Sequence, residues 1–148
     1  MGNHYQNIVV AVDGSKEAEL AFRKGIDVAI RNVGSTLHIV HVIDTSVSTS
    51  VEMLYENMIE LVQKHGEVLL ENYRTQATEA GVTNVKTIIT NGVPKTILSK
   101  KLAELVPVDL IICGATGLNA AEQFFIGSNT EAIVRHSKCD VLVVRTPE

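Results

Sequence analysis

Short apolar runs that alternate with longer segments of helical periodicity are the feature that most constrains the fold. The runs lie at 8–12, 37–43, 87–89, 110–113 and 141–144, and turn residues bound them. Runs of this length that are rich in β-branched residues are typical of buried strands. Such strands lie in parallel sheets covered on both faces, because each right-handed crossover places its helix on one face. We therefore predict an α/β fold with a doubly wound sheet of five parallel strands.

The segments between the strands predict amphipathic helices. The first begins at Ser15, whose side chain can cap it, and stops near Gly34. The second covers 52–80, and Gly66 weakens it internally, so that it could bend or break there. A third begins at Pro94, because proline is tolerated in a first helical turn. Strands and helices therefore alternate along the chain, as the fold requires.

Length and composition fit a single domain over residues 1–148, since 45% of the 148 residues are hydrophobic. The net charge of −4, without a Lys/Arg cluster, does not favour nucleic acid or an anionic membrane as a partner. We find neither the pattern of a signal peptide nor an apolar run that could span a bilayer, and we expect a cytoplasmic protein. Cys113 and Cys139 are expected to be free structural thiols in a reducing compartment.

Candidate ligand-binding residues follow directly after the strands, because doubly wound sheets bind ligands outside the carboxyl ends of their strands. These positions are 13–15, 42–44, 91–92 and 114–117. The last of them contains two glycines, and a Gly-Ser-Asn-Thr sequence at 127–130 then opens a helix. Glycines let backbone N–H groups approach an anion, and a helix N-terminus adds unpaired N–H donors and the positive end of its dipole. The pattern predicts a phosphate-binding site.

Other common sites are not supported by the sequence. The segment 92–96 lacks the glycines of a Walker-type loop, and Gly14 alone does not make a dinucleotide-binding fingerprint. Asn91 stands where a phosphoacceptor receiver domain would need an acid. His38 and His41 lie three residues apart on a strand and therefore on opposite faces, which favours core or rim histidines over metal ligands. No catalytic triad can be assembled from spacing alone.

The pattern Gly114-x2-Gly117-x9-Gly127-Ser128, between a strand that starts after Asp109 and a last strand at 140–145, resembles the universal stress protein family. More particularly, it resembles the branch of that family that binds ATP. The likeness extends to the segments 8–15, 41–44 and 91–94. The resemblance implies a strand order of 3-2-1-4-5 and a dimer.

The resemblance also implies a nucleotide site. The adenine would lie near Val42, whose backbone would contact the base edge, and the ribose near Asp13 and Gly114. The phosphates would lie against Gly117 and 127–130. The complete implied set is Ala11, Val12, Asp13, Val42, Cys113, Gly114, Gly117, Gly127, Ser128, Asn129 and Thr130, with Asp13 as a Mg²⁺ ligand through the nucleotide. Asn129 departs from the family pattern, which often has an apolar residue at this position. The departure puts the affinity for the nucleotide in question.

Three functions are compatible with these residues. The first is an ATP-binding regulatory or protective module of the stress response with at most slow hydrolysis, because no Lys or Arg adjoins the glycine segment in sequence. Whether Lys95 or Arg135 reaches the site depends on the fold. The second is a metal-dependent ATPase or phosphotransferase that uses Asp13. The third is a dimeric interaction module with a vestigial nucleotide site.

A homodimer is expected to form through residues 141–145. The family strand order puts this last strand at an edge of the sheet, and an apolar edge strand favours pairing with a second copy. Val141 and Val143 would be central to that contact. The alternative is that a loop or the N-terminal residues cover the edge.

Overall fold

A computed structural model of the chain describes residues 4–45, 52–115 and 126–145, and side chains are not described for 52–57. The strands are β1 (Asn7–Ala11), β2 (Thr36–Asp44), β3 (Val85–Gly92), β4 (Leu110–Gly114) and β5 (Asp140–Val144). The helices are α1 (Lys16–Arg31), α2 (Glu52–Glu79), α3 (Pro94–Thr96), a π-helical turn (Ile97–Lys101), α4 (Leu102–Leu105) and α5 (Ser128–His136).

The five strands form one parallel sheet in the order β3-β2-β1-β4-β5. Val10 in the central strand lies opposite Ile39 of β2 and Ile112 of β4, and all three are fully buried. The predicted doubly wound sheet and its strand order are therefore confirmed.

Alternate strand residues face two separate hydrophobic layers, as a period of two requires. One layer lies under α1 and α2, where the ring of Phe22 meets that of Tyr73 edge-on with centroids 4.7 Å apart. The other layer lies under the 94–105 segment and α5, where Val9 and Val40 of the sheet pack with Leu98 and Ile133. Both faces of the sheet are thus covered.

The start of α1 is fixed by its predicted cap. The Ser15 hydroxyl oxygen accepts a 3.1 Å hydrogen bond from the Ala18 N–H, which satisfies one of the unpaired donors of the first turn. Glu17 and Glu19 lie in that turn, where the helix dipole favours negative charge. The chain therefore turns directly from β1 into α1.

No break occurs at Gly66, because α2 continues through it from Glu52 to Glu79. Gly66 is buried where α2 crosses β2 and β3. A Cβ atom at this position would lie 2.7 Å from Cδ1 of Ile89 and 2.9 Å from Cδ2 of His41. The glycine therefore allows close packing of the helix on the sheet at the cost of local helix propensity.

The segment after β3 begins its helix at Pro94, as predicted, but it is not one regular helix. A π-helical turn, Ile97–Lys101, separates α3 from α4. The buried Ser99 hydroxyl donates a 2.6 Å hydrogen bond to the Lys95 carbonyl oxygen within this segment. Periodicity predicts helical structure but does not distinguish i→i+4 from i→i+5 hydrogen bonding over one turn.

Candidate functional site

A cavity of about 510 Å³ lies at the carboxyl ends of β1, β2 and β4, against the start of α5. Its volume is in the usual range for a small-molecule site. Ten of the eleven residues of the predicted nucleotide site line it, namely Ala11, Val12, Asp13, Val42, Cys113, Gly114, Gly127, Ser128, Asn129 and Thr130. The remaining one, Gly117, lies outside the described residues.

Asp13 lies on the exposed side of this cavity, in the turn between β1 and α1. Its Oδ1 accepts a 2.9 Å hydrogen bond from the Ser15 N–H, so the carboxylate is held in place by its own turn. A carboxylate has several acceptor positions. Asp13 is therefore positioned to accept further hydrogen bonds from a ligand or to contact a cation.

The end of β2 presents backbone groups to the cavity because β1 ends first. The Val12 N–H donates to the Val40 carbonyl oxygen at 2.8 Å, so the peptide groups of Val40 point toward β1. Peptide groups alternate in direction along a strand, and those of Val42 therefore point to the same side. Since β1 proper ends at Ala11, these groups face the cavity.

His41, for which the strand spacing predicts a core or rim position without a role in binding, also lines the cavity. Its ring Nδ1 lies 2.9 Å from the Val12 carbonyl oxygen, and Nδ1 must be the donor because a carbonyl oxygen only accepts. The half-buried ring thus joins the end of β1 to β2 and packs against Gly66 of α2. Its position beside Val42, at the end of a strand, was the available signal.

Further lining residues come from elements without a recognisable sequence motif. Val62 of α2 contributes apolar surface to the cavity, as do Pro94 and Leu98 of the segment after β3. Ser15, Ala18, Val40, Ile43, Asp44 and Ile133 complete the lining. Of these, Ser15, Ile43 and Asp44 lie at strand ends that the sequence analysis had singled out.

Gly114 has two structural functions that involve no ligand. A Cβ atom there would lie 3.0 Å from both the Cβ and the carbonyl oxygen of Glu17, so the missing side chain lets α1 approach β4. Its carbonyl oxygen accepts a 2.6 Å hydrogen bond from the Thr130 hydroxyl, which joins β4 to α5. The end of β4 is therefore held from both sides.

The start of α5 offers fewer donors than the sequence predicts. Gly127 is the N-cap residue, and its N–H donates to the Ala115 carbonyl oxygen at 2.8 Å. The Thr130 hydroxyl proton is used by Gly114. These two donors are therefore engaged within the protein and not available to a ligand.

The remaining groups at the start of α5 still form a potential anion site. Among the described residues no side chain caps this helix, so the N–H groups of its first turn, at Ser128, Asn129 and Thr130, have no capping partner from a described side chain. Ser128 and Asn129 are exposed beside the cavity. Uncapped N–H groups and the positive end of the helix dipole together favour a negatively charged ligand group.

Cys113 contributes a neutral wall to the cavity. Burial raises the pKa of its thiol to about 11. Cys139, half-buried at the other end of the sheet, has its pKa raised chiefly by burial as well. Both cysteines are free, as predicted. The thiolate is the reactive form, so neither environment favours a nucleophilic cysteine.

Within the ranges 4–45, 52–115 and 126–145, no group of three or more His, Cys, Asp or Glu residues could hold a metal ion by itself. The helices of this described part include none that is both long and apolar enough to cross a membrane.

Lys95 and Arg135, whose proximity the sequence could not decide, line a second cavity of about 200 Å³ that shares Ser128 with the first.

A parallel sheet with a cavity at the carboxyl ends of its strands is the arrangement in which doubly wound α/β domains bind their ligands. Residues 4–145 match the Universal stress protein family. A putative universal stress protein of Staphylococcus haemolyticus is 54% identical over 144 residues, which cover 97% of this chain and 87% of that relative. The chain belongs to the universal stress protein family, which confirms the resemblance at the family level.

Solved structures of the same family share the fold. Universal stress protein UspA from Lactobacillus plantarum has a TM-score of 0.86 at 29% identity, covering 97% of this chain and 100% of that one. A universal stress protein solved in complex with cAMP has a TM-score of 0.67 at 27% identity, covering 98% and 100%.

Proposed function

We propose that this universal stress protein binds ATP together with Mg²⁺ in the 510 Å³ cavity and acts as a nucleotide-responsive regulatory or protective module of the stress response. The observation that supports this proposal most directly is that three kinds of group line one cavity. They are the carboxylate of Asp13, the backbone of β2 at Val42 and the N-terminus of α5, which lacks a side-chain cap. The proposal includes a cytoplasmic location, which suits free thiols.

Each part of the nucleotide has a chemically suitable partner. The peptide groups of Val42 suit the donors and acceptors of an adenine edge, with Val12 and Ala11 as apolar neighbours. The carboxylate of Asp13 suits ribose hydroxyl groups, which are hydrogen-bond donors. The first turn of α5 suits phosphates. The relative solved with cAMP supports an adenine nucleotide as the class of ligand.

Mg²⁺ fits as an ion carried in by the nucleotide. Two carboxylates line the cavity, those of Asp13 and Asp44, and Oδ1 of Asp13 already accepts a hydrogen bond from Ser15. Mg²⁺ commonly uses one or two protein carboxylates, phosphate oxygens and water, rather than a cage of protein ligands. When bound, the ion would neutralise phosphate charge next to Asp13.

A substitution at Ser128 tests the role of the α5 N–H groups. Ser128 is the first helical residue, where proline is well tolerated, and Gly127 already has the extended conformation that precedes proline, with φ −66° and ψ 160°. Ser128→Pro therefore removes one N–H donor without breaking the helix. We expect ATP affinity to fall about tenfold or more, the value of a hydrogen bond to a charged group.

The matched control is Ser128→Ala, which keeps the N–H and removes only the hydroxyl. Isothermal titration calorimetry measures both variants and the wild type. Equal affinity of Ser128→Pro and the wild type would contradict this use of α5. Failure of the wild type to bind ATP, with no thermal shift at millimolar ATP, would instead favour the interaction module with a vestigial site. A micromolar binder should gain about 4 kcal/mol under those conditions.

A metal-dependent ATPase or phosphotransferase is the second candidate, and one observation favours it. Lys95 and Arg135, from distant parts of the sequence, line a cavity that shares Ser128 with the proposed nucleotide site. Cations at this place could neutralise charge that develops during phosphoryl transfer. This candidate predicts Mg²⁺-dependent phosphate release that Asp13→Asn abolishes while ATP binding persists. Release at the rate of a protein-free control would contradict it.

A further inference from the structure

A basic groove runs between the 94–101 segment and α5, next to the proposed nucleotide site. This cavity of about 200 Å³ is lined by Lys95, Lys100 and Arg135, with Glu131 as the acidic side chain of its lining. Glu131 lies 4.0 Å from Arg135, at the outer limit of an ion pair, and both side chains are two-thirds exposed. Three basic side chains and one carboxylate thus line this groove, in a chain whose net charge is −4.

The two lysines of the groove come from adjoining elements. Lys95 lies in α3, and Lys100 lies in the π-helical turn that follows it. The Ser99 hydroxyl of that turn donates a 2.6 Å hydrogen bond to the Lys95 carbonyl oxygen, which joins the two elements. Both lysines line the groove, so this segment contributes two positive charges to it.

The groove continues from the proposed nucleotide site through Ser128, which lines both cavities. Ser128 begins α5, whose uncapped first turn suits phosphates. A phosphate chain that leaves this turn toward the 94–101 segment would meet Lys95, Lys100 and Arg135. A chain that ends at the turn would not.

We propose that the basic groove binds the distal phosphates of adenine nucleotides with long phosphate chains. This proposal rests on the proposed nucleotide function. The ligand class is the adenosine polyphosphates, including dinucleoside polyphosphates, in preference to the monophosphate. The adenosine lies in the larger cavity, and the distal phosphates extend past Ser128 into the groove. The groove is thus the part of the site that distinguishes phosphate-chain length.

Isothermal titration calorimetry with AMP, ATP and diadenosine tetraphosphate tests this inference, at low ionic strength because exposed charges are screened by salt. We expect Lys95→Gln and Arg135→Gln each to weaken diadenosine tetraphosphate binding about two- to fivefold, the range for an exposed ion pair. AMP binding should stay unchanged. Glu131→Gln should strengthen tetraphosphate binding, because it removes the carboxylate of the groove.

Lys24→Gln is the matched control, since Lys24 is an exposed lysine on α1 outside both cavities. It should leave all three affinities unchanged. Equal losses for AMP and the tetraphosphate, or no loss in the groove variants, would overturn this inference and leave the nucleotide proposal standing. A wild type that binds none of the three compounds would overturn both.

Discussion

The Thr130 hydroxyl donates a 2.6 Å hydrogen bond to the Gly114 carbonyl oxygen, which joins the first turn of α5 to the end of β4. Thr130 is buried, and both residues line the larger cavity. A bond within the protein thus sets the position of the start of α5 relative to the end of β4. Any phosphate site at this place depends on that position.

Thr130→Val should remove this bond with almost no change in volume. The Gly114 carbonyl oxygen would lose its donor, so we expect the free energy of unfolding to fall by about 1–3 kcal/mol. Urea denaturation measures the change. Thr130→Ser keeps the hydroxyl and should recover most of the loss. A Thr130→Val protein as stable as the wild type would show that the bond contributes nothing net.

Two glycine-to-alanine substitutions should have opposite effects. At Gly114, the new Cβ would lie 3.0 Å from the Cβ and the carbonyl oxygen of Glu17, which cannot move without displacing α1. We expect a loss of about 1–3 kcal/mol from overpacking. At Gly25, within α1, the nearest atom would be Cδ1 of Leu37 at 3.5 Å, an ordinary contact. Alanine should therefore stabilise that helix by up to about 1 kcal/mol. Thermal or urea denaturation measures the change in the free energy of unfolding for both variants. A change of the same sign in both would contradict the packing argument.

His38 should make stability depend on pH. The ring is buried, and its Nε2 lies 3.1 Å from Oδ1 of Asn7, so Nε2 donates. Its Nδ1 has no hydrogen-bond partner among the described residues. Burial lowers the pKa of His38 below the usual 6.5, and the nearby charge of Lys86 lowers it further. The folded protein therefore binds this proton less readily than the unfolded chain.

The sign of the effect follows from that difference in proton binding. The contribution of His38 to the free energy of unfolding is complete above pH 6.5. It is lost as the pH falls toward the lowered pKa of the folded state. His38→Gln can still donate to Asn7 but does not titrate. The difference in unfolding free energy between wild type and His38→Gln should therefore shrink from pH 7.5 to pH 5.5. A constant difference across this range would argue against a lowered pKa.

The edge position of β5 leads to a prediction about assembly. β5 ends the sheet, and Val141 and Val143 are half-buried there. We expect homodimerisation through 141–145, and Val143→Lys should give a monomer on gel filtration because a charge at an apolar strand edge opposes pairing. Val134→Lys, on the exposed side of α5, is the matched control and should keep the wild-type elution. An unchanged dimer of a folded Val143→Lys protein would argue against edge pairing.

The sheet and the location of the cavity follow from the sequence because both depend on periodicity. Apolar runs at strand length predict β1 to β5, and parallel strands necessarily bring their carboxyl ends to one edge of the sheet. Asp13 and Val42 line the same cavity for this reason. The family strand order then fixes which strand ends are neighbours.

Other properties depend on distances that a sequence does not contain. Gly66 weakens a helix in any propensity scale, and its presence is explained only by the 2.7 Å that would separate a Cβ atom there from Cδ1 of Ile89. The N–H of Gly127 could have faced a ligand, but it is bonded to Ala115. Lys95 and Arg135 come together only because the 94–101 segment and α5 pack side by side.

The bond between Gly127 N–H and the Ala115 carbonyl oxygen, at 2.8 Å, makes the two ends of the connection between β4 and α5 neighbours. Doubling the length of a connection costs only about 0.6 kcal/mol in closure entropy. An insertion within 116–125 should therefore cost the fold little, whereas it would change the Gly117-x9-Gly127 spacing on which the proposed phosphate site depends.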